Sequence, residues 1–341
     1  MNPQLKKTVL ATGGCGYIGS HTVVELLNSG YEVIILDDFS NSKESVIDSI
    51  KLITGHRPLL YIGSILDQQL LRKIFASHKI DAVVHFAGLK SVSESEAKPL
   101  LYYETNVSGS IQLLKEMVNA NISKLVFSSS ATVYGGNVST RYDETMDLIP
   151  INVYGYTKYM VEKMFLQHAS ANRNFSLINL RYFNPVGAHQ SGLIGEDPNG
   201  IPNNLMPFIS KVALGELSFL SIYGDDYPTP DGTCLRDYIH IADLASGHLA
   251  ALKKIEQQSI QEAINLGTGK PYSVFEMIRC FETVSGVTIP YKIVGRRKGD
   301  LSEYYADPTF AMKALNWQTQ YGIEVMCADL WNRLLVMQRQ S

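Results

Sequence analysis

A run of seven residues, Gly13-Gly14-Cys15-Gly16-Tyr17-Ile18-Gly19, constrains this chain more than any other feature, because it joins the apolar stretch Thr8–Thr12 directly to a helical pattern. Gly13, Gly16 and Gly19 have the spacing at which a backbone turns sharply, admits a pyrophosphate to its N–H groups and lets a helix close on a strand with no Cβ in the way. Alone, such a turn is a weak signal. The next strand pattern ends in Leu36-Asp37-Asp38, which puts Asp37 18 residues past Gly19. An acidic side chain there accepts from both ribose hydroxyls of an adenosine and repels a 2′-phosphate, so the reading is NAD rather than NADP; a plain turn residue at a strand end is the alternative.

Short β-branched runs alternate with longer amphipathic stretches through the first half, the pattern of an α/β fold with a Rossmann-type doubly wound parallel sheet. Strands are predicted at Thr8–Ala11, Glu32–Leu36, Leu59–Ile62, Ala82–His85, Lys124–Ser128 and Ser176–Asn179, and helices at Ile18–Asn28, Ser45–Ile53, Gln68–Ser77, Leu100–Asn119 and Tyr156–Ala169. A chain of 341 residues exceeds the usual single core. Two units are therefore expected, an NAD-binding domain over 1–182 and a smaller C-terminal α+β substrate domain over 183–341, from which some segments return to the first sheet. The boundary is set where the rhythm breaks into the Gly/Pro/Asn-rich stretch Asn184–Asn204, too long for an ordinary connection and read as a binding loop. Beyond it the pattern suggests a helix near Leu205–Leu214, an apolar run Phe219–Tyr223, turns over Asp225–Thr233 and a strand at Ala263–Leu266.

A net charge of -3 gives no electrostatic reason to expect nucleic acid or an anionic membrane as partner. The polar start Met1–Lys7 and the glycine-cut stretch after it fit neither a signal peptide nor a spanning helix. Cys15, Cys234, Cys280 and Cys327 lie far apart, without metal-ligand spacing, and are expected to be buried free thiols in a reducing cytoplasm; no metal is expected. His85 follows two valines in a buried strand and is expected in the core.

Tyr154 and Lys158, four positions apart where a helical pattern starts, share one face. A tyrosine with a pKa near 10 is a poor base, and lowering it to about 7 needs roughly 4 kcal/mol of preference for the phenolate. A lysine about 6 Å away contributes on the order of 3 kcal/mol at an effective dielectric of 20, and an oxidised nicotinamide adds a similar amount, so two cations suffice, while desolvation of the phenolate opposes them and keeps the value from falling further. A tyrosine and lysine at this spacing are often only a solvated helix face. Ser128-Ser129-Ser130-Ala131-Thr132-Val133-Tyr134-Gly135, which follows an apolar strand at the edge where ligands bind in this architecture, shifts the balance. Ser130 is placed to hydrogen-bond a reacting sugar oxygen and hold it near Tyr154.

With these elements in this order the chain closely resembles the UDP-glucose 4-epimerases, a branch of the extended short-chain dehydrogenase/reductases. The likeness covers nearly the whole chain. It is carried by the glycine run, Leu36-Asp37, His85-Phe86-Ala87-Gly88-Leu89-Lys90, Ser128–Gly135, Tyr154 with Lys158, and Arg181-Tyr182-Phe183-Asn184-Pro185-Val186-Gly187-Ala188. Asn203-Asn204-Leu205-Met206-Pro207, Arg236-Asp237-Tyr238-Ile239-His240 and Arg297-Lys298-Gly299-Asp300 add to it. The resemblance implies NAD-dependent epimerisation at C4 of a UDP-hexose, interconverting UDP-glucose and UDP-galactose through a transient 4-keto sugar, with Tyr154 as acid/base, Lys158 as its partner and Ser130 on the sugar. It implies cofactor contacts from Gly13, Gly16, Tyr17, Ile18, Gly19, Asp37, Asn41, Ser42, Ser64, Ile65, Phe86, Ala87, Lys90, Asn106, Ser128 and Tyr182, besides Tyr154 and Lys158. For the substrate it implies Lys90, Ser130, Tyr154, Phe183, Asn184, Asn204, Leu205, Tyr223, Arg236, Arg297, Asp300 and Tyr304.

Arg236 and Arg297 suit a pyrophosphate and Asp300 a ribose hydroxyl, although Arg236-Asp237 also reads as an ordinary surface ion pair. In the family a tyrosine matching Tyr304 goes with glucose/galactose restriction and a small residue with acceptance of N-acetylated hexosamines, so the resemblance favours UDP-glucose and UDP-galactose, with an N-acetylglucosamine 4-epimerase a more serious rival than a dehydratase. Where the family usually has an acidic residue at the adenine, this chain has Gly63-Ser64-Ile65, and a serine hydroxyl is a weaker acceptor. A dehydratase would need an acid and a base where Ala131 and Thr132 stand, and a non-catalytic NAD-binding regulator predicts loss of Tyr154 or Lys158. The resemblance also implies a homodimer through the helices at Leu100–Asn119 and Tyr156–Ala169.

Overall fold

The computed structural model describes residues 6–137, 139–197, 204–297 and 299–340. Asn203 and Lys298 of the motifs above, residues 198–202 of the expected binding loop and residues 1–5 of the polar start lie outside them. The chain forms two compact units. One comprises Met1–Asn137, Asp147–Arg181 and Ala245–Ile264, the other Val138–Met146, Tyr182–Leu244 and Asn265–Ser341.

The first unit is built on a seven-stranded sheet in the order Gln261–Leu266, Ser176–Tyr182, Lys124–Ser128, Ala82–His85, Thr8–Thr12, Glu32–Asp37, Leu59–Ile62. From Leu59–Ile62 across to Ser176–Tyr182 every neighbouring pair is parallel. The chain leaves the first strand in one direction and later returns to build in the other, the doubly wound order whose reversal point takes ligands at the carboxyl ends of the strands. Strands covered on both faces read as continuous apolar runs, and Leu10, Val83, Leu125, Phe127 and Leu177 bury one face against Leu71, Ile74, Leu113, Met117, Val161 and Phe165 of the helices.

Two helices differ from their sequence pattern. The predicted helix Leu100–Asn119 is α-helical at Pro99–Tyr102 and Gly109–Asn119 but opens into a π-helical turn over Tyr103–Ser108. One extra residue per turn is invisible to a periodicity count, yet it carries Asn106 into the interior. The helix predicted from Tyr156 spans Val153–Ala171 and so includes Tyr154. Its early start has a local cause: the amide N–H groups of Val153, Tyr154 and Gly155 donate to Glu96 Oε1 (2.8 Å), Ser95 Oγ (3.1 Å) and Asn152 Oδ1 (2.8 Å).

The second unit contains the strand Leu235–His240, paired with Asn184–Val186, Pro271–Ser273 and Glu303–Ala306, and the parallel pair Leu220–Tyr223 with Tyr291–Val294. The stretch expected to be a loop from Asn184 therefore starts as a strand. Helices Leu205–Ala213, Val274–Ser285 and Ile323–Gln340 enclose a core around Met206, Ile209, Ile222, Met277, Phe281, Met326 and Leu330. All four cysteines are free, but only Cys15 and Cys327 are buried; Cys234 and Cys280 are half-buried, which corrects the expectation for those two. Cys280 sits at the margin of this core rather than inside it.

Asp237 locks the second unit. Its buried carboxylate accepts from Thr268 N (2.9 Å), Thr268 Oγ1 (2.6 Å), Gly269 N (3.0 Å) and Ala306 N (3.1 Å). Asp237→Ala takes the acceptor from the buried Ala306 N–H and from the half-buried Thr268 and Gly269 donors, and unsatisfied buried groups cost about 1–3 kcal/mol each. The expected loss is about 3 kcal/mol or more of stability, read from the urea midpoint; an unchanged midpoint contradicts this role.

Candidate functional site

The glycine turn leaves the end of Thr8–Thr12 and is pinned by Gly13 N to Leu36 O at 2.7 Å and by Cys15 N to Asp37 Oδ2 at 2.8 Å. Gly13 has φ +70, and a Cβ there would stand 2.7 Å from Ala87 N; a Cβ at Gly19 would stand 2.2 Å from Gly13 O. Both opposing atoms are backbone and cannot yield. The helix Tyr17–Asn28 starts at Gly16 with no side-chain cap, leaving its positive end to a ligand. Asp37 closes the cradle, fixed by Phe39 N (3.0 Å) and Ser42 Oγ (2.7 Å) as well as Cys15. These features fit a dinucleotide, with Asp37 where an adenosine ribose belongs. Ser64 Oγ accepts from Leu66 N at 3.2 Å, so this serine is engaged in its own turn, with buried Ile65 beside it.

On the neighbouring strand, His85 is enclosed between Thr12 Oγ1 (2.7 Å) and Ser110 Oγ (2.9 Å), and burial with the Lys158 charge pushes it down to about 3, so it stays neutral. It is a core residue. The segment after it carries Phe86, whose ring meets His248 at 5.0 Å, then Ala87, bonded through its N–H to Thr12 O, and exposed Lys90. Asn106 acts as a brace here: Oδ1 accepts from Leu89 N (2.7 Å), while Nδ2 donates to Leu89 O (3.0 Å) and Thr157 Oγ1 (3.0 Å).

Tyr154 and Lys158 are both buried. Lys158 Nζ donates to Ser128 O at 2.8 Å and lies 5.9 Å from the Tyr154 ring centre and 4.8 Å from that of Phe127. The Tyr154 side chain interacts with that of Ser130, whose Oγ accepts from Thr132 N at 3.2 Å and Thr132 Oγ1 at 3.0 Å. Burial pushes the phenol up to about 12, with the Ser130 bond pulling the other way, and pushes the ammonium down to about 8, opposed by Glu162. The chain's own residues therefore favour the protonated phenol, and the sequence arithmetic reaches about 7 only by counting an oxidised nicotinamide as well as Lys158.

In the second unit Arg236 is anchored by Nη1 to Leu235 O (2.9 Å) and Leu301 O (2.8 Å), and by Nη2 to Asp300 Oδ1 (3.3 Å). It makes no pair with Asp237, contrary to the surface-pair reading, because successive strand residues point to opposite faces. Arg297 lies over the Tyr223 ring at 4.5 Å. Tyr304 stacks between Tyr142, at 4.5 Å, and Phe183, at 5.1 Å. Asn184 lies in the strand paired with Tyr238, and Asn204 is the N-cap position of the helix Leu205–Ala213, without a side-chain cap bond. Gly16, Tyr17, Ile18, Asn41 and Ser42 fall on or beside the glycine cradle, and Ser128 and Tyr182 at strand ends. The sequence reading missed Glu162, one helical turn beyond Lys158, although the four-residue spacing signalled it. Among the described residues no group of three or more His, Cys, Asp or Glu is placed to hold a metal ion.

Comparison with known proteins agrees with this geometry. A family model described as the NAD dependent epimerase/dehydratase family matches residues 9–267. A UDP-glucose 4-epimerase of Erwinia amylovora is 52% identical over 326 residues, covering 95% of this chain and 97% of that protein. Crystal structures of UDP-glucose 4-epimerases superpose closely. That from Stenotrophomonas maltophila, with bound NAD and formylated UDP-arabinopyranose, has a TM-score of 0.96 at 46% identity over 98% of this chain and 100% of the other. That from Bifidobacterium longum, in complex with NAD+ and UDP, has a TM-score of 0.93 at 45% identity over the same shares, 98% and 100%.

The close approach at Gly19 has a direct test. Gly19→Ala drives a methyl group into the Gly13 carbonyl, and NAD affinity is expected to fall at least tenfold in a fluorescence titration; binding at the parent level contradicts the cradle.

Proposed function

The chain belongs to the NAD dependent epimerase/dehydratase family, and from that premise we propose that it interconverts UDP-glucose and UDP-galactose by NAD-dependent epimerisation at C4. The observation that carries the reading is Tyr154, Lys158 and Ser130 gathered on the end of a strand two places from the glycine turn in the sheet. NAD, when held by Gly13, Gly16, Gly19 and Asp37, would supply reversible oxidation of the C4 carbinol and a positive charge that favours the phenolate.

The chain's own residues then have defined work. Ser130 Oγ, beside Tyr154, orients the sugar 4-oxygen, and Tyr154 removes its proton and later returns it. Lys158 stabilises the phenolate through charge, its Nζ located by the Ser128 carbonyl. Arg236 and Arg297 hold the diphosphate, Asp300 a ribose hydroxyl, and Phe183, Asn184, Asn204, Leu205 and Tyr223 complete the nucleotide contacts. Tyr304, fixed by rings on both sides, leaves little freedom for a bulky C2 substituent and so favours glucose and galactose over N-acetylated hexosamines. Ala131 and Thr132 occupy the turn directly after Ser130 and provide no acid/base pair for dehydration.

We assign a homodimer on a further observation within the first unit. Leu100 is 82% exposed, Tyr156 45% and Met160 44%, an apolar set on the neighbouring helices Pro99–Tyr102 and Val153–Ala171 that a second copy would cover. The cytoplasm is proposed as the location, supported by four free cysteines. Among the described residues no helix is long and apolar enough to cross a membrane.

Turnover of UDP-galactose by the purified protein, with UDP-N-acetylglucosamine assayed in parallel, tests the reaction and the sugar preference together. Tyr154→Phe is expected to keep bound NAD and lose roughly 10²–10⁴ in kcat, the usual contribution of a positioned acid/base; full turnover rejects this base. Leu100→Glu with Met160→Glu is expected to give a monomer by light scattering, and an intact dimer would place the interface elsewhere.

A further inference from the structure

Tyr154, Lys158 and Glu162 follow one another at four-residue steps along the helix Val153–Ala171, and each is tied to the segment that begins at Ser128. Tyr154 meets Ser130, Lys158 Nζ donates to Ser128 O at 2.8 Å, and Glu162 Oε1 accepts from Ser129 Oγ at 2.5 Å. Arg181 closes the far side. Its Nε donates to Glu162 Oε1 (3.0 Å) and Oε2 (3.2 Å), its Nη2 to Oε2 (2.7 Å), and its Nη1 to Tyr134 Oη (3.0 Å) at the end of the same segment. Glu162 and Arg181 are sealed from water, and so is Ser129.

The carboxylate satisfies Ser129 and neutralises Arg181, and a third group, Lys158, stands within one helical turn of it. From the strand Lys124–Ser128 Lys158 meets the Phe127 ring and the Ser128 carbonyl, and from its own helix the Tyr154 ring. Gly88 approaches Nζ closely, with a Cβ position 4.0 Å away, while His85 on the next strand is neutral and His248 faces Ser128 Oγ at 3.5 Å. Beyond Glu162 stands the positive Arg181. Of these groups only Glu162 carries a negative charge.

We propose that Glu162 is a positioning residue for the reaction, its carboxylate holding Lys158 as an ammonium and, through Ser129, fixing the turn that presents Ser130 to Tyr154. This rests on the reading of Lys158 as the electrostatic partner of the base. Burial brings the ammonium down to about 8, and Glu162 is the one charge acting against that fall. Without it Lys158 would release its proton at lower pH, and the phenolate would lose its partner within the neutral range.

The test uses the NAD-loaded protein and Glu162→Gln, with two readouts. The first needs no turnover: the Lys158 Nζ signal is followed by 15N NMR across pH, identified by its loss in Lys158→Met. Its midpoint is expected to fall by about one pH unit in Glu162→Gln, the size of a close charge–charge effect. The second is the pH profile of kcat, whose alkaline limb should move by the same amount, a loss of about fivefold at pH 8 with little change at pH 6. Glu162→Asp keeps the charge and should restore most of the midpoint. Should Glu162→Gln not fold because Arg181 is left unpaired, Glu162→Gln with Arg181→Met removes that buried charge as well, and a smaller shift in the same direction is expected. An unmoved Lys158 midpoint in a folded variant overturns the proposal. Absence of UDP-hexose turnover in the parent would instead refute the functional reading, with the NMR midpoint still deciding the part played by Glu162.

Discussion

Removal of water from one phenol and one ammonium is the constraint on which this structure turns. Burial drives Tyr154 up to about 12 and Lys158 down to about 8, so the phenolate that accepts a proton and the ammonium beside it are both disfavoured. Whatever offsets that cost has to be local and rigid, since a charge at effective dielectric 20 loses about half its influence when its distance doubles. The helix Val153–Ala171 supplies rigidity at its first turn, where Glu96, Ser95 and Asn152 occupy three of the N–H groups that a helix start leaves open. Tyr154 is therefore held by backbone bonds before its side chain meets anything.

The parallel sheet explains why groups distant in sequence converge. Thr8–Thr12, Ala82–His85 and Lys124–Ser128 are adjacent in the sheet and run the same way, so their carboxyl ends lie side by side. The glycine turn, the segment Phe86–Lys90 and the serines 128–130 are the residues that follow those three ends. A single topological choice thus sets the glycine turn beside the residues proposed as the acid/base pair, and the braces between them are short: Ala87 N to Thr12 O at 3.0 Å, and Asn106 across to Leu89 and Thr157.

Much of the first unit was legible because its signals are local and periodic. Strands sealed on both faces read as apolar runs, and glycines forced by a backbone atom 2.2 Å from a would-be Cβ read as an unusual spacing. The π-helical turn at Tyr103–Ser108 was not, since it shifts the repeat by one residue within a single turn. Helices Ile241–Gln257, Val274–Ser285 and Ile323–Gln340 went unassigned, although Val274–Ser285 has a sequence-visible start, the capping box of Ser273 and Glu276. The depth of burial of Tyr154 was not legible, for a different reason. Charges can be counted in a sequence, whereas the depth at which a phenol is buried depends on chain segments that close around it from elsewhere.

Arg236 and Asp237 show the same limit in its sharpest form. Adjacent and opposite in charge, they invite the reading of one ion pair, yet the two-residue period of the strand Leu235–His240 separates them completely. Asp237 turns to a buried face and spends its carboxylate on four donors of the Gly267–Gly269 turn and Ala306. Arg236 turns the other way and is steadied by two carbonyls and Asp300. Asp237 builds the unit, and Arg236 before it is the residue proposed to meet the diphosphate. The strand's alternation thus lets Asp237 serve the interior while Asp300 and two carbonyls hold Arg236 on the opposite face, where the proposed diphosphate contact is made.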